Sequence, residues 1–236
     1  MAELESLATA RGVVMHAIGE AAARAGRDPA GVEIVAITKT VDAERIRAAI
    51  AAGFTTLGEN RVQERQAKSD AVAGTGASWH LVGPLQSNKA RRAVELFDIV
   101  ETVDSLELAE RLSRIAVELR PSSQLSVLLQ VNVDDDAAKA GFEPRAMERD
   151  LGAILGLPGL CVDGLMTVGR LVESPELARP TFVALRALSE RLRANHVGLG
   201  PELSMGMSED YAIAVEEGAT LVRIGRAIFG ARPAVR

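Results

Sequence analysis

The chain has 236 residues, of which 47% are hydrophobic and 25% are charged, and its net charge at pH 7 is −5. This length suits one large domain with its own core, while the negative balance and the 3% aromatic content argue against nucleic acid or anionic lipid as a partner. The first residues lack the pattern of a signal peptide, no apolar run reaches the roughly 20 residues of a membrane helix, and Cys161 is the single cysteine. The sequence therefore predicts a cytoplasmic protein with no membrane segment and a small-molecule partner.

A leading helix precedes a regular alternation of strands and helices. Residues 1–27 are rich in alanine and predict one helix that ends near Gly26, before a turn at Asp28-Pro29. Short apolar runs between turn residues then predict eight strands. These strands are Glu33–Thr38, Thr55–Gly58, Trp79–Val82, Asp98–Thr102, Ser126–Asn132, Val162–Met166, Glu202–Met205 and Leu221–Ile224.

Helical periodicity separates the predicted strands. In Asp104–Leu119 the leucines recur on one face, and Asp104 with Glu107 predicts a capping box at the start of the helix. Pro180–Leu192 shows the same one-sided apolar pattern, and another helical pattern begins near Asp42.

This alternation predicts the fold class. Strands that alternate with helices pair in parallel, and eight such units fit a closed (β/α)8 TIM barrel of the α/β class with an extra N-terminal helix. We expect a single domain over residues 1–236, with the barrel at about 32–232. An open, doubly wound sheet is the alternative, although no Gly-x-Gly-x-x-Gly follows the first strand.

Polar segments follow the predicted strands directly. Because active sites of such barrels lie at the carboxyl ends of the strands, these segments predict a ligand site there, although turn chemistry alone explains their glycines. The segments are Lys39, Gly58–Asn60, Gly83–Lys89, Asn132, Thr167, Ser204–Ser208 and Arg223–Arg226.

Lys39 stands out among these residues. It ends the first strand in a chain whose 27 basic residues include only four lysines, and a lysine amine can attack a carbonyl whereas arginine cannot. The segments around Gly206 and Gly225 follow strands seven and eight, where barrels frequently bind phosphate, and Ser208 either donates to that phosphate or caps the next helix. Barrel closure brings strand eight beside strand one, so a lysine would lie next to a phosphate site, as pyridoxal 5′-phosphate requires.

At this point the motifs resemble a known family, the pyridoxal phosphate homeostasis proteins, also called the YggS or PROSC family. The resemblance runs from about Val32 to Arg232. The motifs that carry it are Ala36–Thr40, Gly58–Glu64, Trp79–Lys89, Leu203–Tyr211 and Val222–Gly230.

The resemblance implies a barrel similar to the N-terminal barrel of alanine racemase, with pyridoxal 5′-phosphate as the cofactor and Lys39 as the aldimine lysine. It further implies that Arg223 faces the pyridine nitrogen and that Asn60 and Met166 lie near the ring. The residues implied to hold the phosphate are Ser204, Gly206, Ser208, Gly225 and Arg226. Two positions depart from the family pattern: Arg61 stands where a tyrosine is common, and Arg226 stands where a small hydroxyl residue is common.

In this interpretation, the presence of Arg223 beside the cofactor ring favours a carrier over an enzyme. A guanidinium beside the pyridine nitrogen leaves that nitrogen unprotonated and weakens the cofactor as an electron sink. Racemisation also needs a second acid or base on the opposite face of the ring, and the single tyrosine, Tyr211, lies just after the phosphate loop. We therefore predict a non-enzymatic protein that holds the cofactor on Lys39 and supplies it to pyridoxal-phosphate-dependent apoenzymes. An amino-acid racemase is the alternative, and a barrel enzyme that binds a phosphorylated metabolite non-covalently is a second one.

Several other residues carry weaker expectations. No metal site is predicted, because His16, His80 and His196 lack cysteine or carboxylate partners at ligand spacing. Cys161 is expected to be a small buried residue, and the run at residues 134–136 a solvated loop. The protein is predicted to be a monomer, and Lys89 is the other lysine to test if Lys39 proves dispensable.

Overall fold

Eight parallel strands close into a barrel in chain order in the computed structural model, which describes residues 1–169 and 172–230. The predicted end of the barrel near residue 232 lies outside the described residues. The predicted (β/α)8 barrel and the N-terminal helix are confirmed. The strands are β1 (Glu33–Ile37), β2 (Thr56–Glu59), β3 (Ser78–Leu81), β4 (Ile99–Val103), β5 (Leu125–Gln130), β6 (Leu160–Met166), β7 (Glu202–Met207) and β8 (Leu221–Ile224).

Helices connect successive strands and surround the barrel. The N-terminal helix packs against the last two helices and the second one, and so covers the seam where the barrel closes. The helices are α1 (Ala2–Arg24), α2 (Ala43–Ala51), α3 (Val62–Lys68), α4 (Ala90–Leu96), α5 (Leu106–Leu119), α6 (Pro144–Leu155), α7 (Arg179–Asn195), α8 (Tyr211–Glu216) and α9 (Arg226–Phe229). In the described part of the chain, no helix is both long and apolar enough to span a bilayer.

The register between β1 and β8 positions the start of the chain against its end. Val35 pairs with Arg223, and Ala36 pairs with Ile224. The loop after β8 therefore lies beside the loop after β1, which is the closure that the sequence predicts.

The start of α5 differs from the predicted capping box. Ser105, and not Asp104, is the N-cap, and its hydroxyl accepts a hydrogen bond from the Leu108 amide at 3.3 Å. Glu107 lies in the first turn, where its charge favours the helix dipole. The cap lies one residue later than predicted because Ser105 is the last extended residue before the helix.

Cys161 is exposed, so the prediction that it is buried is wrong. Alternate residues of a strand face opposite sides, and the flanking Leu160 and Val162 are the buried ones. Its thiol donates a hydrogen bond to Asp163 at 3.0 Å. The pKa of the thiol is raised to about 11, mainly by this hydrogen bond and to a smaller extent by burial.

Residues 134–136 form a loop, as predicted, but Asp134 is not simply solvated. Its carboxylate accepts a hydrogen bond from the Thr181 hydroxyl at 2.6 Å and pairs with Lys139 at 3.2 Å. The loop after β5 is therefore tied to α7, and it has a defined position above the barrel.

Candidate functional site

A pocket of about 810 Å³ opens at the carboxyl ends of the strands. Most of the predicted site residues line it, namely Lys39, Asn60, Ser208, Arg223, Gly225 and Arg226. Several further residues with polar side chains also line the pocket. Those that can carry charge or donate hydrogen bonds are Gln130, Lys139, Glu173, Glu209 and Asp210.

Lys39 lies in a tight turn between β1 and α2. The Thr38 amide donates to the Gly58 carbonyl at 2.9 Å, and the Val41 amide closes the turn on the Thr38 carbonyl at 2.9 Å. Thr40 adopts a left-handed backbone with φ of 63°, which is uncommon for a β-branched residue. Lys39 is half-buried, and its backbone is held on both sides at the edge of the pocket.

A buried cluster of Thr38, Glu59 and Lys68 supports this turn. The Lys68 ammonium donates to the Thr38 carbonyl at 2.8 Å and to the Glu59 carboxylate at 2.6 Å, and the Thr38 hydroxyl donates to the same carboxylate oxygen at 2.7 Å. Burial raises the pKa of Glu59, while Lys68 and Thr38 act in the opposite direction. The second Glu59 oxygen is buried and has no hydrogen-bond donor among the described residues, and the neighbouring Glu64 carboxyl adds to the rise in the pKa of Glu59.

Ser208 lies at the opposite wall of the pocket, facing the loop after β8. Its hydroxyl accepts hydrogen bonds from the Gly225 amide at 3.3 Å and from the Ala227 amide at 3.4 Å. It does not cap the following helix, so that alternative is wrong. Asp210 precedes α8 instead, and its carboxylate accepts from the Met207 amide at 2.6 Å. A hydroxyl and backbone amides that converge in this way form a donor set suited to an anion.

Gly206 lies behind this wall and not on it. Its φ is 89°, and a Cβ atom there would lie 2.5 Å from the Ala214 Cβ. The missing side chain therefore lets the end of β7 approach α8.

Arg223 lines the floor of the pocket from β8. It is only 5% exposed, and its guanidinium donates to the Ser204 hydroxyl and to the Thr167 carbonyl, both at 2.6 Å. Burial lowers the pKa of Arg223, while Glu101 and Asp210 oppose that shift. Arginine starts from so high a pKa that the guanidinium stays charged at neutral pH.

Two predicted site residues lie beneath this floor. Ser204 is fully buried and joins Arg223 to Glu101. Met166 is fully buried in the inner barrel cluster with Ile37, and Val168 of the pocket wall packs on the same cluster. Both residues support the pocket without lining it.

Lys139 is the second lysine of the pocket, a position that the sequence analysis did not foresee. Its ammonium pairs with Asp134 at 3.2 Å and with Asp136 at 3.8 Å. Lys89, the expected alternative to Lys39, lies on a short 3-10 turn over Ser87–Lys89 and does not line the pocket. The lysine to compare with Lys39 is therefore Lys139.

The mouth of the pocket carries an exposed ion pair. The Arg226 guanidinium contacts the Glu209 carboxylate at 3.1 Å, and both side chains are more than half exposed. The carboxylate that would repel an anion at the Ser208 wall is thus partly neutralised by the arginine opposite it.

Comparison with known proteins identifies the family. The model of the alanine racemase N-terminal domain matches residues 14–233. The chain is 44% identical over 217 residues to the pyridoxal phosphate homeostasis protein of Pseudomonas aeruginosa, covering 91% of each chain. It is 40% identical over 227 residues to the protein of that name from Escherichia coli K12, covering 93% of this chain and 94% of the relative. The chain belongs to the pyridoxal phosphate homeostasis protein family.

Solved structures agree with this assignment. PipY of Synechococcus elongatus, solved with PLP bound, is 40% identical, with a TM-score of 0.81 and coverage of 90% of this chain and 100% of PipY. Alanine racemase of Corynebacterium glutamicum is 15% identical with a TM-score of 0.70, covering 99% of this chain and 64% of the racemase. That second likeness shows a shared fold alone.

The two departures from the family pattern fall at different places. Arg61 is exposed at the start of α3 and does not line the pocket, whereas Arg226 does. Only the second departure changes the charge at the pocket of this homeostasis-family chain.

Proposed function

We propose that this protein binds pyridoxal 5′-phosphate reversibly through Lys39 and holds it for other proteins. The observation that carries the proposal is that Lys39 lines the same pocket as Arg223 and the Ser208 wall. One amine, one buried guanidinium and an anion-binding wall match the aldehyde, the ring nitrogen and the phosphate of this cofactor. The Lys39 amine would condense with the aldehyde to a Schiff base and release one water.

The phosphate is assigned to the wall formed by Ser208, Gly225 and Arg226. The hydroxyl of Ser208 already accepts from the Gly225 amide, so an incoming phosphate oxygen can replace it as the acceptor of that amide while the hydroxyl rotates to donate to the phosphate. Arg226 would add a positive charge in place of the hydroxyl that is common in the family. Asn60 lines the pocket on the ring side, between Lys39 and the loop after β3.

The pocket favours holding the cofactor over using it. When bound, pyridoxal phosphate supplies an electron sink that depends on a protonated ring nitrogen. Arg223 cannot supply that proton, because guanidinium does not give it up at ordinary pH. Tyr211 packs on the hydrophobic core and is not among the lining residues, and burial raises the pKa of its phenol. The relatives are named as homeostasis proteins, which agrees with a carrier.

We further propose that the recipients are pyridoxal-phosphate-dependent apoenzymes and that the carrier acts as a monomer in the cytoplasm. The pocket opens at one end of the barrel, so a partner can approach Lys39 without dissociation of subunits. The free, exposed thiol of Cys161 suits a reducing compartment.

The decisive experiment is a visible absorption spectrum of the purified protein with added pyridoxal phosphate. Lys39→Ala should abolish the Schiff-base band, and Lys89→Ala, which removes a lysine outside the pocket, should leave it unchanged. Borohydride reduction followed by peptide mapping should label Lys39 in the wild type.

Three results would contradict the proposal. A band of unchanged position in Lys39→Ala, with the reduced label on another residue, would remove Lys39 from its role. Interconversion of D- and L-amino acids above the Lys39→Ala background would favour the racemase. A protein that stays colourless with excess cofactor would favour the non-covalent phosphate enzyme.

A further inference from the structure

A chain of buried polar groups crosses the barrel interior beneath the pocket. The Arg223 guanidinium donates to the Ser204 hydroxyl at 2.6 Å, and that hydroxyl donates to the Glu101 carboxylate at 2.5 Å. The other Glu101 oxygen contacts Nδ1 of His80 at 2.6 Å. Four strands, β3, β4, β7 and β8, each contribute one of these side chains.

Each side chain in this hydrogen-bonded series is buried. Glu101 and Ser204 are fully buried, His80 is 1% exposed and Arg223 is 5% exposed. A buried ionised carboxylate is costly unless it is paired and fully hydrogen-bonded. Here each carboxylate oxygen has a partner, which makes Glu101 an acceptor on both sides.

The charges identify the direction of the hydrogen bonds. Burial alone raises the pKa of Glu101, but the His80 contact, the positive field of Arg223 and the Ser204 hydroxyl outweigh it, so that the net pKa is lowered. Glu101 is therefore ionised at neutral pH and can only accept, which makes Nδ1 of His80 the donor. The Ser204 proton points to Glu101, so the Ser204 oxygen offers its lone pair to Arg223.

This arrangement fixes one end of the Arg223 side chain. Its two terminal nitrogens bind Ser204 and the Thr167 carbonyl below the floor, while the guanidinium also lines the pocket. A planar guanidinium held at two points cannot rotate without breaking a buried hydrogen bond. Ser204 and Thr167, which do not line the pocket, therefore set the orientation in which Arg223 faces it.

We propose that Glu101 and His80 are positioning residues for Arg223, acting through Ser204. Glu101 orients the Ser204 hydroxyl and balances the guanidinium charge, and His80 holds Glu101 in place. The proposal rests on the proposed function, because the benefit to the protein is a correctly aimed contact to the cofactor ring.

Among these hydrogen-bonded residues, His80 is the one whose substitution should disturb the fold least. It also borders a second cavity of about 390 Å³ at the amino ends of the strands, together with Leu128 and Glu202. A different side chain there has space to relax into. His80→Gln should consequently fold even if a change at Glu101 does not.

The test measures the affinity of the whole protein for pyridoxal phosphate and the position of its visible band. Glu101→Gln and Ser204→Ala should each raise the dissociation constant roughly 10- to 100-fold, the range expected for a lost hydrogen bond to a charged group. His80→Gln should shift both properties in the same direction and by less. The dissociation constant of the double variant, Glu101→Gln with Ser204→Ala, should be no higher than that of the single variant that binds more weakly. Both substitutions break the same hydrogen-bonded connection to Arg223.

Inorganic phosphate, used as a competitor, separates positioning from simple electrostatics. The proposed function assigns phosphate to the Ser208 wall and not to Arg223, so the competition constant of inorganic phosphate should change less than about 3-fold in Glu101→Gln. If removal of a negative charge were the whole effect, both phosphate and pyridoxal phosphate would bind more tightly to the variant. That result would overturn the proposal.

Glu217→Gln is the matched control. Glu217 is a buried carboxylate that pairs with Arg179 and Arg186 at the barrel periphery, away from the pocket. It should lower the unfolding temperature and leave the band and the affinity unchanged. If Glu217→Gln and Glu101→Gln have the same effect on the band, the role of Glu101 is only structural and the proposal fails.

A measurement without cofactor keeps this proposal distinct from the proposed function. The side-chain NH signals of Arg223, assigned by comparison with Arg223→Lys, should exchange slowly with solvent in the wild type and rapidly in Glu101→Gln. Equal exchange in both proteins refutes the positioning role. Failure of the wild type to form a Lys39-dependent band refutes the proposed function while leaving this measurement intact.

Discussion

The Lys68–Glu59 pair beneath the Lys39 turn should make stability depend on pH in a defined way once Lys68 is replaced. Lys68→Met removes an ammonium whose side chain is 13% exposed and which binds a fully buried carboxylate at 2.6 Å. Breaking a buried pair on one side costs about 3–5 kcal/mol while the remaining charge stays ionised. Glu59 can avoid that cost by binding a proton.

The cost of protonation sets the size of the effect. Holding a carboxyl neutral costs about 1.4 kcal/mol for each pH unit above its unfolded pKa near 4.3. At pH 5 protonation of Glu59 costs about 1 kcal/mol, which is less than the cost of leaving the carboxylate ionised and unpaired. At pH 8 protonation costs about 5 kcal/mol and no longer reduces the loss. With about 1 kcal/mol for the lost contact to the Thr38 carbonyl, we expect Lys68→Met to lose about 2 kcal/mol at pH 5 and about 4–6 kcal/mol at pH 8.

The sign follows from the direction of the Glu59 shift. Burial raises the pKa of Glu59 in the folded protein, so the folded state binds more protons than the unfolded state between the two pKa values. Stability therefore falls as pH rises through that window, and it falls further in Lys68→Met, where the opposing ammonium is gone. The window begins near the ordinary pKa of glutamate and ends at the raised folded value.

Urea unfolding of the cofactor-free protein, followed by circular dichroism at pH 5 and pH 8, measures the effect. Lys89→Met serves as a lysine control outside the pocket and should change stability by less than about 0.5 kcal/mol at both pH values. Adding Glu59→Gln to Lys68→Met should remove the extra loss at pH 8. An equal loss at both pH values, or no recovery in the double variant, would refute the buried-charge explanation.

Three further predictions concern Cys161, Gly206 and Arg226. Iodoacetamide should modify the exposed Cys161 about two orders of magnitude more slowly at pH 8 than an ordinary thiol, because its pKa is about 11, and Asp163→Asn should restore most of the rate; equal rates in both proteins would contradict this. Gly206→Ala should destabilise the fold by roughly 2–4 kcal/mol in thermal unfolding, because φ is 89° and the added Cβ would lie 2.5 Å from Ala214; an unchanged unfolding temperature would show that the end of β7 can shift. Arg226→Thr should change stability by less than about 0.5 kcal/mol, since its ion pair is exposed, while binding of pyridoxal phosphate loses part of its salt dependence and binding of pyridoxal does not change.

Much of the architecture is predictable from local pattern. Each predicted strand overlaps its observed counterpart, because short β-branched runs between turn residues have few other options. The general placement of ligand sites in such barrels also predicts the pocket end correctly, and Lys39, Asn60 and Ser208 line it together.

The buried hydrogen bonds that link Arg223, Ser204, Glu101 and His80 could not be predicted from the sequence in the same way. Glu101 and Ser204 meet only because the strands tilt and shift in register, including the irregularity between Val100 and Val103 on β4. Lys139 reaches the pocket because the segment after β5 folds back, with Val131 pairing to Phe142. The exposure of Cys161, by contrast, follows from simple alternation with Leu160 and Val162, and residue type alone gave the wrong answer there.

The pairing of β1 with β8 has a consequence for biosynthesis. Lys39 follows the first strand and the Gly225 amide follows the last, so a ligand that contacts both needs every intervening unit to be in place. A nascent chain on the ribosome cannot assemble this pocket until β8 has emerged and paired with β1. Contacts between such distant residues form late and slowly in folding, so ligand capture would mark the completion of the barrel and select finished molecules over partly folded ones.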